Sequence, residues 1–108
     1  MALDLPRAIE LYFTIENSGD ASVIPGCFAP DAVVHDEGRD IRGLRAIAEW
    51  KASSKAKYQH SIEPLRVSQK GGRTVVVGKV TGNFPGSPVD LDFSFGLTDG
   101  LISSLEIH

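Results

Sequence analysis

Tyr12 and Asp36 are the residues of this 108-residue chain whose types and spacing best suit chemistry. A phenol donates a hydrogen bond and a carboxylate accepts a proton. Inside an otherwise apolar cavity the two can move a proton next to a carbonyl group. Tyr12 falls on the apolar side of an N-terminal helical pattern, Asp36 closes the first strand pattern, and the polar break Asn17-Ser18-Gly19-Asp20 separates them. Each also has a plainer reading. Tyr12 can be a packed aromatic with its hydroxyl at a polar rim, and Asp36 can cap a turn or pair with Arg39 or Arg42. His60 shares a strand face with Tyr58 and Ile62 and could serve as a near-neutral proton acceptor or as a satisfied structural histidine.

The elements that must position these groups can be read from hydrophobic period. Leu5, Ile9, Tyr12, Phe13 and Ile15 recur at helical spacing behind a possible Asp4 cap, so residues 5–17 form an amphipathic helix with Arg7, Glu10 and Glu16 in its more polar positions. Asp20 starts a short second helix, limited by Pro25-Gly26 and anchored by Val23, Ile24 and Phe28. Val33-Val34 begins a strand that ends at Asp36 and turns through Glu37-Gly38-Arg39-Asp40. Strand geometry sends the His35 and Asp36 side chains to opposite faces, His35 outward. A third helix runs from Leu44 to about Lys57, with Leu44, Ile47 and Ala48 on its apolar face and Trp50 at the margin.

Beyond it the period changes to 2. Thr74 to Phe84 is rich in valine, and Val89, Leu91, Phe93, Phe95 and Leu97 alternate with polar or small residues. Gly71-Gly72, the segment Pro85 to Pro88, and Asp99-Gly100 punctuate antiparallel strands, the last being Leu101 to Ile107. Helices followed by a meander give an α+β fold. The helices fill the concave side of a strongly curved sheet and leave a cavity at its open end. The Val-rich outer face then calls for a second copy of the chain, a homodimer that light scattering would contradict by finding a monomer at micromolar concentration.

Composition narrows the function. A length of 108 residues holds one domain, 1–108, and the 42% hydrophobic and 23% charged shares are those of a globular chain. The net charge of -3 argues against a nucleic-acid partner. The lone Cys27 forms no internal disulfide, no apolar run could span a bilayer, and the N-terminus lacks a signal core, so the expected place is the cytoplasm. The histidines at 35, 60 and 108 show no metal-ligand spacing, and neither a phosphate-binding glycine loop nor a GxSxG elbow is present. No metal and no cofactor are expected. Between Arg39 and Lys57 the basic residues Arg39, Arg42, Arg45, Lys51, Lys55 and Lys57 outnumber Asp40 and Glu49 and read as a solvated face or as a guide for an anionic ligand.

Several strings resemble the SnoaL-like branch of the nuclear transport factor 2-like superfamily: Tyr12 with Asn17 to Asp20, Phe28 to Asp36, Gly43 to Ile47, Gly82 to Val89, and Asp99 to Ile102. The resemblance covers essentially the whole chain. It implies the fold in detail, a cone with three N-terminal helices packed in the concave face of a mostly antiparallel sheet. It does not select a reaction, because such folds host isomerases, cyclases, dehydratases, epoxide hydrolases and non-catalytic modules. Tyr12 and Asp36 resemble the oxyanion-donor tyrosine and base aspartate of ketosteroid isomerase. The second oxyanion donor is missing: alignment on Phe95 puts Phe93 where that acid belongs, and Asp90 and Asp92 have the other parity unless a bulge near Pro88 turns Asp92 inward. Loss of one such donor costs about a hundredfold in rate or more, so efficient steroid isomerisation is not expected.

The resemblance and the residues together give a protein that binds a small, apolar, carbonyl-bearing molecule. As an enzyme it would be an isomerase, cyclase or lyase performing cofactor-free proton transfer, with Asp36 as general base and Tyr12 as donor to the enolate oxygen. Phe13, Phe28, Trp50, His60, Phe84, Phe93 and Phe95 would line the substrate site. The alternative is a non-catalytic ligand-binding or interaction module in which Tyr12 and Asp36 serve packing and turn formation.

Overall fold

Among the described residues two α-helices and six strands realise the change of period seen in the sequence. The computed structural model describes residues 5–18, 21–36 and 38–107, without the side chains of residues 21, 23, 54, 57 and 58. The expected caps Asp4 and Asp20, Gly19 and Glu37 in the expected turns, and the side chains of Val23 and Tyr58 lie outside these described residues.

Helix α1 spans Arg7–Ser18. Its first turn closes through Glu10 N–H donating to the Pro6 carbonyl at 3.0 Å, a place where proline needs no N–H of its own. Ile9, Tyr12, Phe13 and Glu16, three and four residues apart, make one buried stripe. The second expected helix is a 3₁₀ segment, Ala21–Gly26, so the described residues hold two α-helices and not three. Pro25 supplies no N–H to an α ladder, and the tighter bonding ends with Cys27 N–H on the Ile24 carbonyl at 2.9 Å.

Strand β1, Phe28–Asp36, begins five residues before the valine pair that marked it in the sequence. It carries Pro30 because the pairing with its neighbour is irregular between Phe28 and Val33, where a missing donor is tolerated. Arg39 and Asp40, expected to belong to the turn, instead open a short edge strand, β2 (Arg39–Arg42), with Asp36 opposite Arg39 and Gly38 at φ 74° between them. Helix α2, Leu44–Tyr58, follows and ends at Gln59 in the left-handed region. Strands β3 (Ser61–Lys70) and β4 (Arg73–Thr81) form a hairpin on Gly71-Gly72, both at positive φ, as the primed two-residue turn requires. Strands β5 (Val89–Thr98) and β6 (Leu101–Ile107) do the same on Asp99-Gly100.

The sheet order is β2-β1-β6-β5-β4-β3, antiparallel except where β1 runs parallel to β6. Its inner face presents Ala32, Val34, Val76, Phe93, Phe95, Ile102 and Leu105 to the helices, all fully or almost fully buried. Gly78 belongs to that face by necessity. A Cβ there would lie 2.8 Å from Ile62 Cγ2 and 3.0 Å from Phe93 Cε1, so the glycine lets the Phe93 ring lie close against β4.

The outer face is more polar than a Val-rich patch. Val77 sits opposite Arg66 and Asp92, and Val75 opposite Ser68 and Ser94. Both valines are half-buried. Across this face Arg73 donates from Nε to Ser94 Oγ at 2.8 Å, from Nη2 to the Ser94 carbonyl at 2.8 Å, and from Nη1 to Ser104 Oγ at 2.9 Å. One guanidinium thereby joins three strands. On this face the half-buried Val75 and Val77 are set among polar neighbours.

Candidate functional site

Residues of both helices and of the sheet enclose a cavity of about 270 Å³. Ile62, Val80, Phe84, Val89, Leu91, Phe93 and Ile107 form its apolar wall. Asp36, Trp50, Lys51, Glu16 and His60 form the polar wall. Phe84 arrives from the β4–β5 connection, whose backbone is folded back by Ser87 Oγ accepting from Gly82 N–H at 2.9 Å.

Asp36 reaches the cavity because it shares strand parity with the buried Ala32 and Val34. Its Oδ2 accepts the Trp50 indole N–H at 3.0 Å. His35, one residue earlier, points away and places Nδ1 2.5 Å from Asp40 Oδ1 in an exposed pair. The sequence had offered Arg39 and Arg42 as partners of Asp36. Arg42 instead lies 3.5 Å from Asp40.

Tyr12 is fully buried and does not line the cavity. Its ring packs edge-on against Phe13, Phe28 and Phe95, with centroids 5.3, 6.0 and 5.4 Å away, and is tilted against Phe93. The hydroxyl has no hydrogen-bond partner among the described residues. Burial first, then the nearby charge of Asp36, holds its pKa well above that of an ordinary tyrosine, so it stays protonated. Phe13, Phe28 and Phe95 belong to the same aromatic core and not to the cavity wall, whereas Trp50, His60, Phe84 and Phe93 do line it. Phe93 occupies the inward position on β5, and Asp90 and Asp92 are exposed. No bulge turns Asp92 inward; the irregularity in β5 lies between Gly96 and Leu97.

The most polar part of the wall is one the sequence reading had placed in solvent. Glu16 is 3% exposed and Lys51 6%, and their side chains form an ion pair. His60, equally buried, places Nε2 2.9 Å from Glu16 Oε2. With Glu16 ionised, this nitrogen carries the proton and donates. Lys51 Nζ stands 4.1 Å from the Trp50 ring centroid and 5.2 Å from that of Tyr12, within cation–π range of both. Burial, reinforced by Lys55, pulls the Lys51 pKa well below that of an ordinary lysine.

Both misplaced residues had a helical signal. Glu16 continues the stripe Ile9, Tyr12, Phe13, and Lys51 lies four residues after Ile47 on the apolar side of α2. Hydropathy alone discounts a charged residue at such a position. Spacing identifies it.

Backbone ties hold the cluster in place. Asn17 Oδ1 accepts from Ile62 N–H at 2.7 Å and Asn17 Nδ2 donates to the Ile62 carbonyl at 3.0 Å, so the end of α1 mimics a strand partner for β3. Lys55 Nζ donates to the carbonyls of Glu16 at 3.1 Å, Asn17 at 3.3 Å, and also His60. A cation on the last carbonyls of α1 also complements the helix dipole. Glu16 and His60 therefore face one another because three elements are joined around them.

Away from this wall, Cys27 donates Sγ–H to the Ala8 carbonyl at 3.0 Å, and burial pushes its pKa up to about 12, which keeps the thiol protonated and unreactive. Among the described residues no group of three or more His, Cys, Asp and Glu side chains is arranged to hold a metal. No helix among them is long and apolar enough to cross a membrane.

Comparison with known proteins agrees with this architecture. A proposed polyketide cyclase from Sinorhizobium meliloti has a crystal structure similar to this chain at a TM-score of 0.92 and 42% identity, over 97% of this chain and 96% of that one. A protein with a ketosteroid isomerase-like fold from Catenulispora acidiphila, solved with trimethylamine, is similar at a TM-score of 0.82 and 16% identity, over 97% and 86% of the two chains. An NTF2-like protein from Cytophaga hutchinsonii is similar at 0.78 and 10% identity, over 100% and 91%. The latter two likenesses show the fold alone. No curated protein sequence matches the chain. The family model of the SnoaL-like domain matches residues 9–104, and with it the chain belongs to the SnoaL-like family, in the NTF2-like fold.

Proposed function

We propose that the cavity binds a small, apolar, carbonyl-bearing molecule and that Asp36 moves a proton at the carbon next to the carbonyl. The observation that carries this reading is the placement of Asp36: a carboxylate in the wall of a mostly apolar cavity, oriented by the Trp50 indole. An α-proton is weakly acidic, and its removal needs a base within hydrogen-bond reach together with a group that receives the charge developing on oxygen. Tyr12 stands behind the wall, so Lys51 is the donor that faces the ligand. The similarity to a proposed polyketide cyclase supports the choice of a carbonyl substrate, since cyclisation of such chains runs through carbonyl-stabilised carbanions. The reaction class is an isomerisation, cyclisation or lyase step that needs no redox change.

Cyclohexanone in D2O provides the test, because deuterium enters its α-carbons whenever a base removes and returns those hydrogens. The protein should accelerate this exchange, and Asp36→Asn should abolish the acceleration while retaining ketone binding. Equal exchange with both proteins would reject Asp36 as the base. One observation favours a second reading, a non-catalytic binding module: Tyr12, the expected oxyanion donor, is enclosed by the aromatic core. That reading expects binding without acceleration.

A further inference from the structure

A lysine amine becomes a nucleophile toward a carbonyl carbon when it is desolvated and stands near a second cation, since both conditions disfavour the ammonium form. Lys51 meets both. It is buried at the cavity wall, and Lys55 follows one helical turn later in α2. The combined effect on its pKa is strongly downward. The Trp50 ring beneath Nζ and the Glu16 carboxylate beside it fix where the nitrogen sits. A buried ion pair is a poor source of net stability, because the cost of removing both charges from water offsets their attraction. At the wall of a cavity, a lysine and a carboxylate held by a histidine suit proton exchange better than they suit packing.

We infer that Lys51 captures its carbonyl ligand covalently as an iminium ion, with Glu16 as the proton carrier. The inference rests on the reading of the cavity as a carbonyl site. In the low-dielectric wall the pair can pass one proton from nitrogen to carboxylate, leaving a neutral amine and a carboxylic acid. The amine lone pair then attacks the carbonyl carbon, a C–N bond forms, and the π pair moves to oxygen, which takes the Glu16 proton. The nitrogen, now positive, returns one of its own protons to Glu16 and leaves a neutral carbinolamine. Its lone pair next expels the hydroxyl group, which takes the proton from Glu16 and departs as water. The products are an iminium ion on Lys51, a Glu16 carboxylate and one water, with no oxidation or reduction. His60, bonded to Glu16 Oε2, positions the carboxyl group through these transfers. The iminium withdraws electrons from the neighbouring carbon more strongly than the ketone does, which lowers the barrier for Asp36 to take the α-proton.

Reductive trapping tests this. The intact protein, incubated with cyclohexanone and sodium cyanoborohydride and then digested, should carry a cyclohexyl group on Lys51, formed faster than on Lys55, Lys70 or Lys79 when the peptides are mapped by mass spectrometry. Labelling of Lys51 no faster than of those lysines, or none at all, overturns the inference. Asp36→Asn should still trap ketone at Lys51 while losing α-deuterium exchange, because capture does not need the base. Exchange by the wild-type protein without a Lys51 adduct would overturn the covalent step and leave the role of Asp36 intact. An adduct without exchange would support capture and reject Asp36 as base. Glu16→Gln, with circular dichroism confirming the fold, should trap more slowly; an unchanged rate would remove Glu16 from the scheme.

Discussion

Glu16 and Lys51 show how a polar pair inside an apolar wall behaves energetically. Removing one partner leaves the other charge buried, whereas replacing both with apolar side chains of similar volume removes the desolvation cost as well. Lys51→Met should therefore destabilise the protein by about 3–5 kcal/mol in urea unfolding, and the double variant Glu16→Leu, Lys51→Met should recover most of that loss. Additive losses in the double variant would mean that the pair is not coupled. These two residues were also the least legible in the sequence. Both are charged, and a hydropathy pattern assigns charge to solvent, yet their spacing from Ile9, Phe13 and Ile47 put them on the buried stripes. Asp36 was legible because strand parity fixed its direction. Tyr12 was legible as a buried aromatic, but the sequence could not tell that neighbouring rings would close it off from the cavity.

At the scale of elements, local chemistry read well wherever a glycine pair or alternating residues dictated geometry. The Gly71-Gly72 and Asp99-Gly100 hairpins and the inward row of β5 follow directly from turn preference and period 2. Elements decided by tertiary pairing did not read as well. Strand β2 contains Arg39, Asp40 and Arg42, a composition of turns, and becomes a strand because β1 offers it an unpaired edge. The 3₁₀ segment replaced a helix because Pro25 interrupts α-type bonding. Gly78 shows a packing demand that sequence conceals. Gly78→Ala should push Phe93 and Ile62 apart and cost about 1–3 kcal/mol, the usual range for overpacking, with Phe93 displaced into the cavity and ketone affinity reduced. Wild-type stability in that variant would show that β4 yields more readily than the contacts imply.

In the whole molecule one part of the space between helices and sheet is filled by aromatic rings around Tyr12 and another is left as a cavity, and this division separates stability from function. The fold was legible across nearly the full chain because helix-then-meander order, turn residues and family strings all agreed. The depth of the cavity was not, since it depends on which rings close ranks around Tyr12 and which, like Phe84 and Phe93, face the void. Every functional reading depends on a carbonyl compound entering that void between Asp36 and Lys51, across the face of Trp50. Trp50 is the sole tryptophan, so its indole N–H gives a single resonance, and that proton is the one bonded to Asp36. Titration of the protein with cyclohexanone should shift this resonance in a saturable way, and Asp36→Asn should alter its starting position. An indole signal that stays fixed as the ketone is added would contradict the account.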